Sequence, residues 1–172
     1  MSNVLIGIIG VILFIGLALA GALFLGPRFQ ESTNNSRASA AVQAVSQVSN
    51  AINMYNVQEG KTVSNTVTAK GLVEDETAFV ELVGGRYLKS VPSNPTGTGL
   101  INIQSGDGPS AGRKLVTMDL GTNAEAVCTA IHKQSGGVGA TVPYTPTVAQ
   151  MPNAVMGCMR FGSSGYQAFA FS

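Results

Sequence analysis

The stretch VLIGIIGVILFIGLALAGALFL, residues 4–25, decides how this protein is organised. It runs for 22 residues without a charged side chain, and Arg28 carries the first charge in the chain. A helix of about 20 apolar residues spans the hydrocarbon core of a bilayer. Residues 1–27 are therefore predicted to form an apolar helix that lies in a membrane or in the core of a filament.

Three interpretations of this apolar segment compete. A secretory signal peptide has a basic region followed by about 7–15 apolar residues. Ala18-Leu19-Ala20 fits its cleavage site, but no Lys or Arg precedes the segment. An ordinary single-span anchor would carry Lys or Arg on one flank, whereas this chain begins Met1-Ser2-Asn3. The third interpretation, which we favour, is a mature product whose basic leader has been removed.

A second helical pattern follows directly. Gly26-Pro27 is expected to break or kink the helix, because proline lacks the backbone N–H and clashes with the preceding turn. Beyond it, residues 28–57 continue as an amphipathic helix, so that residues 1–57 would form a rod of roughly 85 Å. Its apolar stripe consists of Ala38, Ala41, Val45, Val48, Ile52 and Tyr55. Such a stripe predicts packing against a globular core.

Residues 58–172 are predicted to form a globular α+β head with an antiparallel sheet. The predicted elements are a helix at Glu76–Val83, strands at Leu100–Gln104 and Arg113–Leu120, a helix from the capping box Thr122–Glu125 to about Lys133, and a hairpin of Val155–Phe161 with Tyr166–Phe171. The two helices are expected to bury Phe79, Val80, Leu82, Val83, Ala126, Val127, Ala130 and Ile131. Residues 136–152 are rich in Gly, Pro and Thr and are predicted to form an exposed, variable loop.

The composition excludes two classes of protein. The chain has 172 residues, of which 11% are charged and 45% apolar, and its formal net charge is +1. Disorder of the bulk of the chain is excluded, because disordered chains combine low hydrophobicity with high net charge. A basic nucleic-acid-binding protein is excluded as well, because this charge supplies no field that neutralises phosphates.

No group of residues indicates an enzyme, a metal site or a cofactor. His132 is the one histidine and lies near the end of a predicted helix, where a cation suits the helix dipole. The one GxSxG match, Gly108 to Gly112, lies in a turn-rich stretch between two predicted strands, and not at the strand-to-helix turn that exposes a serine nucleophile. Asp107 stands alone among Gly and Ser, and one carboxylate does not supply the several oxygen ligands that calcium requires. We therefore expect a protein without a catalytic site, metal or cofactor.

The order of these features resembles the type IVb pilins, the bundle-forming and toxin-coregulated kind, together with the related thin pili of conjugative plasmids. The resemblance covers the whole chain as a layout. It consists of the apolar N-terminus, the amphipathic SAAVQAVSQVSNAINMYN, the VPSNPTG turn, the cysteine-bearing NAEAVCTAIHKQ, and a second cysteine near the last strands.

This resemblance implies a structural subunit that polymerises through its N-terminal helix into a helical filament of identical subunits. The subunit would lie in the bacterial inner membrane before assembly and then in an extracellular pilus. Its partners would be the pilus assembly machinery and a prepilin peptidase, which removes the leader so that the new N-terminal residue, Met1, is methylated. The sequence does not identify the recipient cell or the receptor that the pilus would contact.

One position departs from the family pattern. Most type IV pilins carry a glutamate at the fifth mature position, which is thought to meet the N-terminal amine of a neighbouring subunit. Leu5 stands there in this chain, and no acid precedes Glu31. Assembly is therefore expected to rest on side-chain packing, with Leu5, Ile9, Leu13 and Leu17 in the filament core. An equally simple explanation is that Met1 is the initiator residue of a divergent pilin-like protein. The glycines of the segment would allow close helix approach.

Cys128 and Cys158 fit either a disulfide or two buried thiols. An exported head lies in an oxidising compartment, where pairing is expected. An even count without a CxxC motif argues against a redox or zinc site. In the resembling pilins this bridge delimits the variable, exposed part of the head.

Two functions from different classes follow. The favoured one is a pilin of a type IV-like pilus used for attachment, aggregation or conjugative mating contact. The alternative is a pseudopilin or minor pilin of a secretion system, or a membrane-anchored periplasmic binding protein. Long surface filaments containing the chain would distinguish the first from the second.

Overall fold

The computed structural model describes residues 2–65, 77–97, 101–106, 112–136, 155–161 and 165–172. In chain order, these contain α1 (Ser2–Glu59), α2 (Thr77–Gly84), β1 (Ile101–Ser105), β2 (Lys114–Asp119), α3 (Ala124–Gln134), β3 (Met156–Phe161) and β4 (Gly165–Phe171). The chain divides into two compact units, Met1–Asn34 and Asn35–Ser172. The protein is α+β, as the sequence predicts.

The first unit is helical, and α1 passes through Gly26 and Pro27 without interruption. The expectation that the helix ends there is wrong, while a bend at that point stays a prediction. Pro27 removes only one backbone hydrogen bond of a helix. In the 58 residues of α1, the neighbouring turns keep theirs, so one missing bond does not end the helix.

The second unit contains a four-stranded antiparallel sheet in the order β1-β2-β4-β3. The predicted hairpin of the last two strands is present, with Cys158 opposite Ala168. β4 also pairs with β2, which places Met118 opposite Ala168 on the other side. The four strands begin and end within one residue of their predicted bounds. They could be located because short runs rich in apolar residues are bounded by Gly- and Ser-rich turns.

The main core lies where the apolar face of the sheet meets the helices. The whole predicted stripe of α1 is buried in it, from Ala38 to Tyr55. Val116 and Met118 of β2 and Ala168 and Ala170 of β4 belong to the same apolar cluster. A second cluster holds the alternate residues on the opposite face, namely Leu115, Met159, Phe169 and Phe171. Both faces of the central strands are therefore buried.

The two short helices differ from their predictions in detail. Phe79 and Leu82 are buried as expected, but Val80 is 66% exposed. In α3, Val127, Ala130 and Ile131 are buried, whereas Ala126 is exposed. Each short helix buries a narrower stripe than its sequence allows, because only one side of it contacts the core.

The predicted capping box of α3 is also wrong. The helix begins after Asn123, which has a left-handed backbone with φ of 57° and makes no side-chain capping bond. The first helical hydrogen bond runs from the amide of Val127 to the carbonyl of Asn123, at 3.0 Å. A capping box requires an N-cap residue with an extended backbone, and the left-handed backbone of Asn123 does not meet that requirement.

A compact clip joins the SNPTG turn to the end of β2. Asn94 Nδ2 donates to the carbonyl of Asp119 at 2.7 Å, and Asn94 Oδ1 accepts from the amide of Thr96 at 2.9 Å. A Cβ on Gly121 would lie 2.5 Å from the carbonyl oxygen of Thr96, and its φ is +28°. The close approach of the two backbones therefore requires glycine at 121.

Replacing Gly121 with alanine should lower the free energy of unfolding by about 2–4 kcal/mol, because the new methyl group meets rigid backbone. Gly60→Ala is the matched control, since Gly60 has a φ of +65° but open space around it. That control should lose only about 1 kcal/mol. Chemical denaturation of the full chain in detergent, followed by the near-ultraviolet tyrosine signal, measures both. Equal losses in the two variants would contradict the clip.

Candidate assembly surface

The apolar half of α1 is exposed on every side. The large side chains between Val4 and Leu23 are each exposed to a similar extent, from 49% at Ile9 to 78% at Leu23. No side chain in the most apolar window is buried within the chain. A helix that is hydrophobic all round belongs in a lipid bilayer or in the interior of an assembly. In the described part of the chain it is the one helix long and apolar enough to cross a membrane.

The four residues predicted to pack in a filament core lie on this surface. Leu5, Ile9, Leu13 and Leu17 are spaced by four residues, and each is about half to three-quarters exposed. Residues four apart form a continuous ridge on a helix, which can enter the groove of a neighbouring helix. Packing between copies stays a prediction, because a single chain carries no neighbouring subunit.

The glycines of α1 leave recesses beside these ridges. A Cβ built on Gly7, Gly10, Gly16 or Gly21 would meet nothing within 4 Å. Nothing in the described part of the subunit therefore requires glycine at these positions, and each one lowers the intrinsic stability of the helix by up to about 1 kcal/mol relative to alanine. Small residues of this kind allow the close approach of a second helix.

The surface changes character after Pro27. Arg28, Glu31 and Arg37 carry charges, and the hydroxyl of Thr33 donates to the carbonyl of Phe29 at 2.8 Å. Among the side chains of α1 that the structure describes, the first buried one is Ala38. The head-packing stripe therefore begins at the residue where the sequence predicts it.

The head-packing stripe is held by one polar contact as well as by its apolar side chains. Ser49 is buried, and its hydroxyl donates to the carbonyl of Phe171 at 2.9 Å. This bond ties the middle of the stripe to the last strand of the sheet. A buried hydroxyl needs such a partner, since its desolvation is otherwise costly.

The two cysteines form a disulfide that joins α3 to β3. The Cα atoms of Cys128 and Cys158 are 5.4 Å apart, and both residues are buried. The alternative of two buried thiols is excluded for this structure. The bond closes a loop of 30 residues, which includes the predicted exposed loop. Apart from Gly136, that loop lies outside the described residues, as do Met1 and Asp107.

A small aromatic group lies at the end of α1, which the sequence did not reveal. The rings of Tyr55 and Tyr87 meet edge to face with centroids 5.4 Å apart, and the Tyr87 hydroxyl donates to Glu59 at 2.9 Å. This hydrogen bond raises the pKa of Tyr87, because only the neutral phenol can donate it. Lys61 lies 5.8 Å from the ring of Tyr55. The group fixes the exit of the chain from the helix.

Among the described residues, no cluster of three or more His, Cys, Asp and Glu side chains could hold a metal ion. His132 lies half-buried in the last turn of α3, and the hydroxyl of Ser135 donates to its carbonyl at 3.1 Å. Among the described residues, the apolar half of α1 is therefore the surface with the most exposed hydrophobic side chains, and we take it as the candidate functional site.

No protein-family profile matches the chain, and no curated protein or solved structure shows significant similarity to it. The class of protein must therefore be argued from its residues and geometry.

Proposed function

We propose that this protein is a structural subunit of an extracellular helical filament of the type IV pilus kind. The subunit would wait in the bacterial inner membrane and then assemble through the apolar half of α1. The observation that carries the proposal is the exposure of the large apolar side chains from Val4 to Leu23, on a helix that continues into a stripe buried in an α+β head.

The free energy of burial supports assembly. Burial of a large apolar side chain stabilises the buried state by about 1.5–3 kcal/mol relative to the state exposed to water. Thirteen such side chains are exposed between Val4 and Leu23. A helix that leaves the bilayer must therefore be buried again. Identical helices packed around one axis supply that burial, and a repeated head-to-tail contact generates a filament.

The composition of the head supports the same proposal. Its disulfide is typical of a protein that functions outside the cytoplasm. Nineteen charges of nearly balanced sign give the whole chain a net charge of +1. Copies of such a head can be placed side by side with little mutual repulsion.

Leu5 shapes the proposed mode of assembly. With no carboxylate before Glu31, no buried acid can pair with the N-terminal amine of a neighbouring subunit. The relative position of the subunits would then be set by ridges such as Leu5 to Leu17 entering the recesses at the glycines. Such packing is specific because interiors tolerate neither voids nor overlaps.

The proposal is tested by shearing the surface of cells that express the chain and examining the released material by electron microscopy. We expect long filaments that are labelled by an antibody against the head. The matched control is the same strain with codon 5 followed by a stop, which should release none. Recovery of the chain from the inner membrane alone would overturn the proposal and favour an anchored binding protein or secretion component.

The recesses give a second test. Gly10→Leu should reduce filaments at least about tenfold, because overpacking costs about 1–3 kcal/mol at each contact and each subunit repeats it. The level of subunit in the membrane should not change, since the position is open within one chain. Gly84→Leu, at an equally open site in the head, serves as the control. Normal filaments from Gly10→Leu would contradict close helix packing at this recess.

A further inference from the structure

Lys114 is a buried cation on a central strand, and within the described residues no acid pairs with it directly. It lies on β2 opposite Ser105, the last residue of β1, and only 7% of its surface is exposed. Its ammonium contacts the side chain of Asn65, in the segment that follows α1. Burial lowers the pKa of Lys114, and the charge of Glu81 opposes that effect.

The contacts around Lys114 place an amine against a carboxamide. Lys114 Nζ lies 2.7 Å from Asn65 Oδ1 and 3.3 Å from Ser105 Oγ. The carbonyl carbon of Asn65 is then no more than about 4 Å from the amine, because a C=O bond is about 1.2 Å long. That separation is close to the 3–3.5 Å at which reacting atoms are poised.

Two further side chains complete the arrangement. Ser105 Oγ donates to Asn65 Oδ1 at 3.2 Å, so a donor already points at the oxygen on which negative charge would develop. Glu81 accepts hydrogen bonds from the amide and the hydroxyl of Ser64, at 2.9 Å and 3.0 Å. The acid whose charge reaches Lys114 is thus held by the residue that precedes Asn65.

We propose that Lys114 and Asn65 join in an intramolecular isopeptide bond. The neutral Lys114 amine attacks the Asn65 carbonyl carbon, and the oxygen of the tetrahedral intermediate is stabilised by the Ser105 hydroxyl. One proton of the attacking nitrogen passes to Asn65 Nδ2, and the negative charge of Glu81 stabilises the positively charged nitrogen during the transfer. The bond between the carbon and Nδ2 then breaks, and ammonia leaves. The products are one secondary amide and one ammonia, so that no oxidant or co-reactant is consumed.

The surroundings favour this reaction over simple hydrogen bonding. A desolvated lysine has a larger neutral fraction and is the kind of amine that acts as a nucleophile in proteins. The amide that forms would no longer keep a charge in a buried position. The bond would join β2 to the segment after α1 across 49 residues of sequence. It would not depend on the filament proposal, since all the groups belong to one head.

Mass spectrometry of the full chain, purified in detergent and reduced, tests the proposal. After any modification of Met1 is assigned from the N-terminal peptide, we expect the rest of the mass to be lower than that of the sequence by one ammonia. Trypsin should release residues 62–70 linked to residues 114–133, because a joined Lys114 is no longer cleaved. An intact mass equal to that of the sequence would overturn the proposal. So would loss of ammonia confined to an unlinked peptide 62–70, which indicates a succinimide at Asn65.

Variants assign the roles. Lys114→Arg and Asn65→Ala should each restore the full mass and lose the linked peptide, whereas Lys89→Arg, at an exposed lysine, should keep it. Glu81→Gln should lower the linked fraction severalfold, because the negative charge that stabilises the attacking nitrogen would be lost. Undiminished linking in Glu81→Gln would overturn the role of Glu81. A linked peptide that persists in Lys114→Arg would overturn the assignment of Lys114.

Discussion

Ile9→Lys should reduce the amount of chain in sheared filaments about 100-fold relative to the amount in the membrane. In a bilayer the long lysine side chain can reach the headgroups, whereas in the filament core its charge would be buried without a partner. A net difference of about 2.8 kcal/mol corresponds to a factor of 100. Ile9 is about half exposed in the single chain, so the substitution disturbs no contact within the subunit. The cost should therefore fall on assembly.

Two readouts separate assembly from folding. The membrane fraction should still contain the variant with its Cys128–Cys158 bond formed and its head resistant to protease. Ile9→Leu, which keeps the apolar character and nearly the same volume, should give normal filaments. Leu13→Lys, one helical turn further on, should behave like Ile9→Lys. Normal filaments from either lysine variant would contradict assembly through this helix, whereas loss of the head from the membrane would locate the defect in folding.

The periodic elements of the fold could be predicted from the sequence because their patterns are local. The spacing of three and four residues from Ala38 to Tyr55 predicts a buried stripe, and all six positions are buried. The short apolar runs of β2 and β4, each bounded by turn residues, located both strands to within one residue. These signals depend on the geometry of one element, which a sequence contains in full.

The errors concern features that depend on what an element meets. Val80 and Ala126 are apolar, but each faces away from the core, and no local pattern shows which side of a short helix is covered. Thr122 to Glu125 has the letters of a capping box, yet the left-handed Asn123 gives the helix a different start. Pro27 is a helix breaker by propensity, which a long helix overrides.

The assembly surface could be predicted and the group around Lys114 could not. An apolar run of 22 residues can be recognised from that stretch of sequence alone. The contact of Lys114 with Asn65 and Ser105 depends instead on the register of β1 with β2 and on the path of the chain after α1. Register and loop path are properties of the folded molecule, so the sequence leaves Lys114 as one lysine among several.

Removal of the disulfide should cause a large loss in the stability of the head. The Cys128→Ala/Cys158→Ala double variant should lose about 3–4 kcal/mol of stability, because the bond closes a loop of 30 residues and restricts the unfolded chain. For a chain of this size the thermal midpoint should fall by about 10 °C. Alanine is the suitable replacement, since both positions are buried and a serine hydroxyl there would lack a partner. Thermal unfolding of the full chain in detergent, followed by circular dichroism, measures the change.

Reduction of the unmodified protein is the matched control, and it should lower the midpoint by a similar amount. If the double variant loses less stability than the reduced protein, part of the loss on reduction comes from the two free thiols straining the core. The disulfide joins α3 to β3, whereas the proposed Lys114–Asn65 bond joins β2 to the segment after α1. The two loops, 128–158 and 65–114, share no residue, so the losses from Lys114→Arg and from the double variant should add. An unchanged midpoint in the double variant would show that the rest of the head, without the disulfide, already fixes α3 on the sheet.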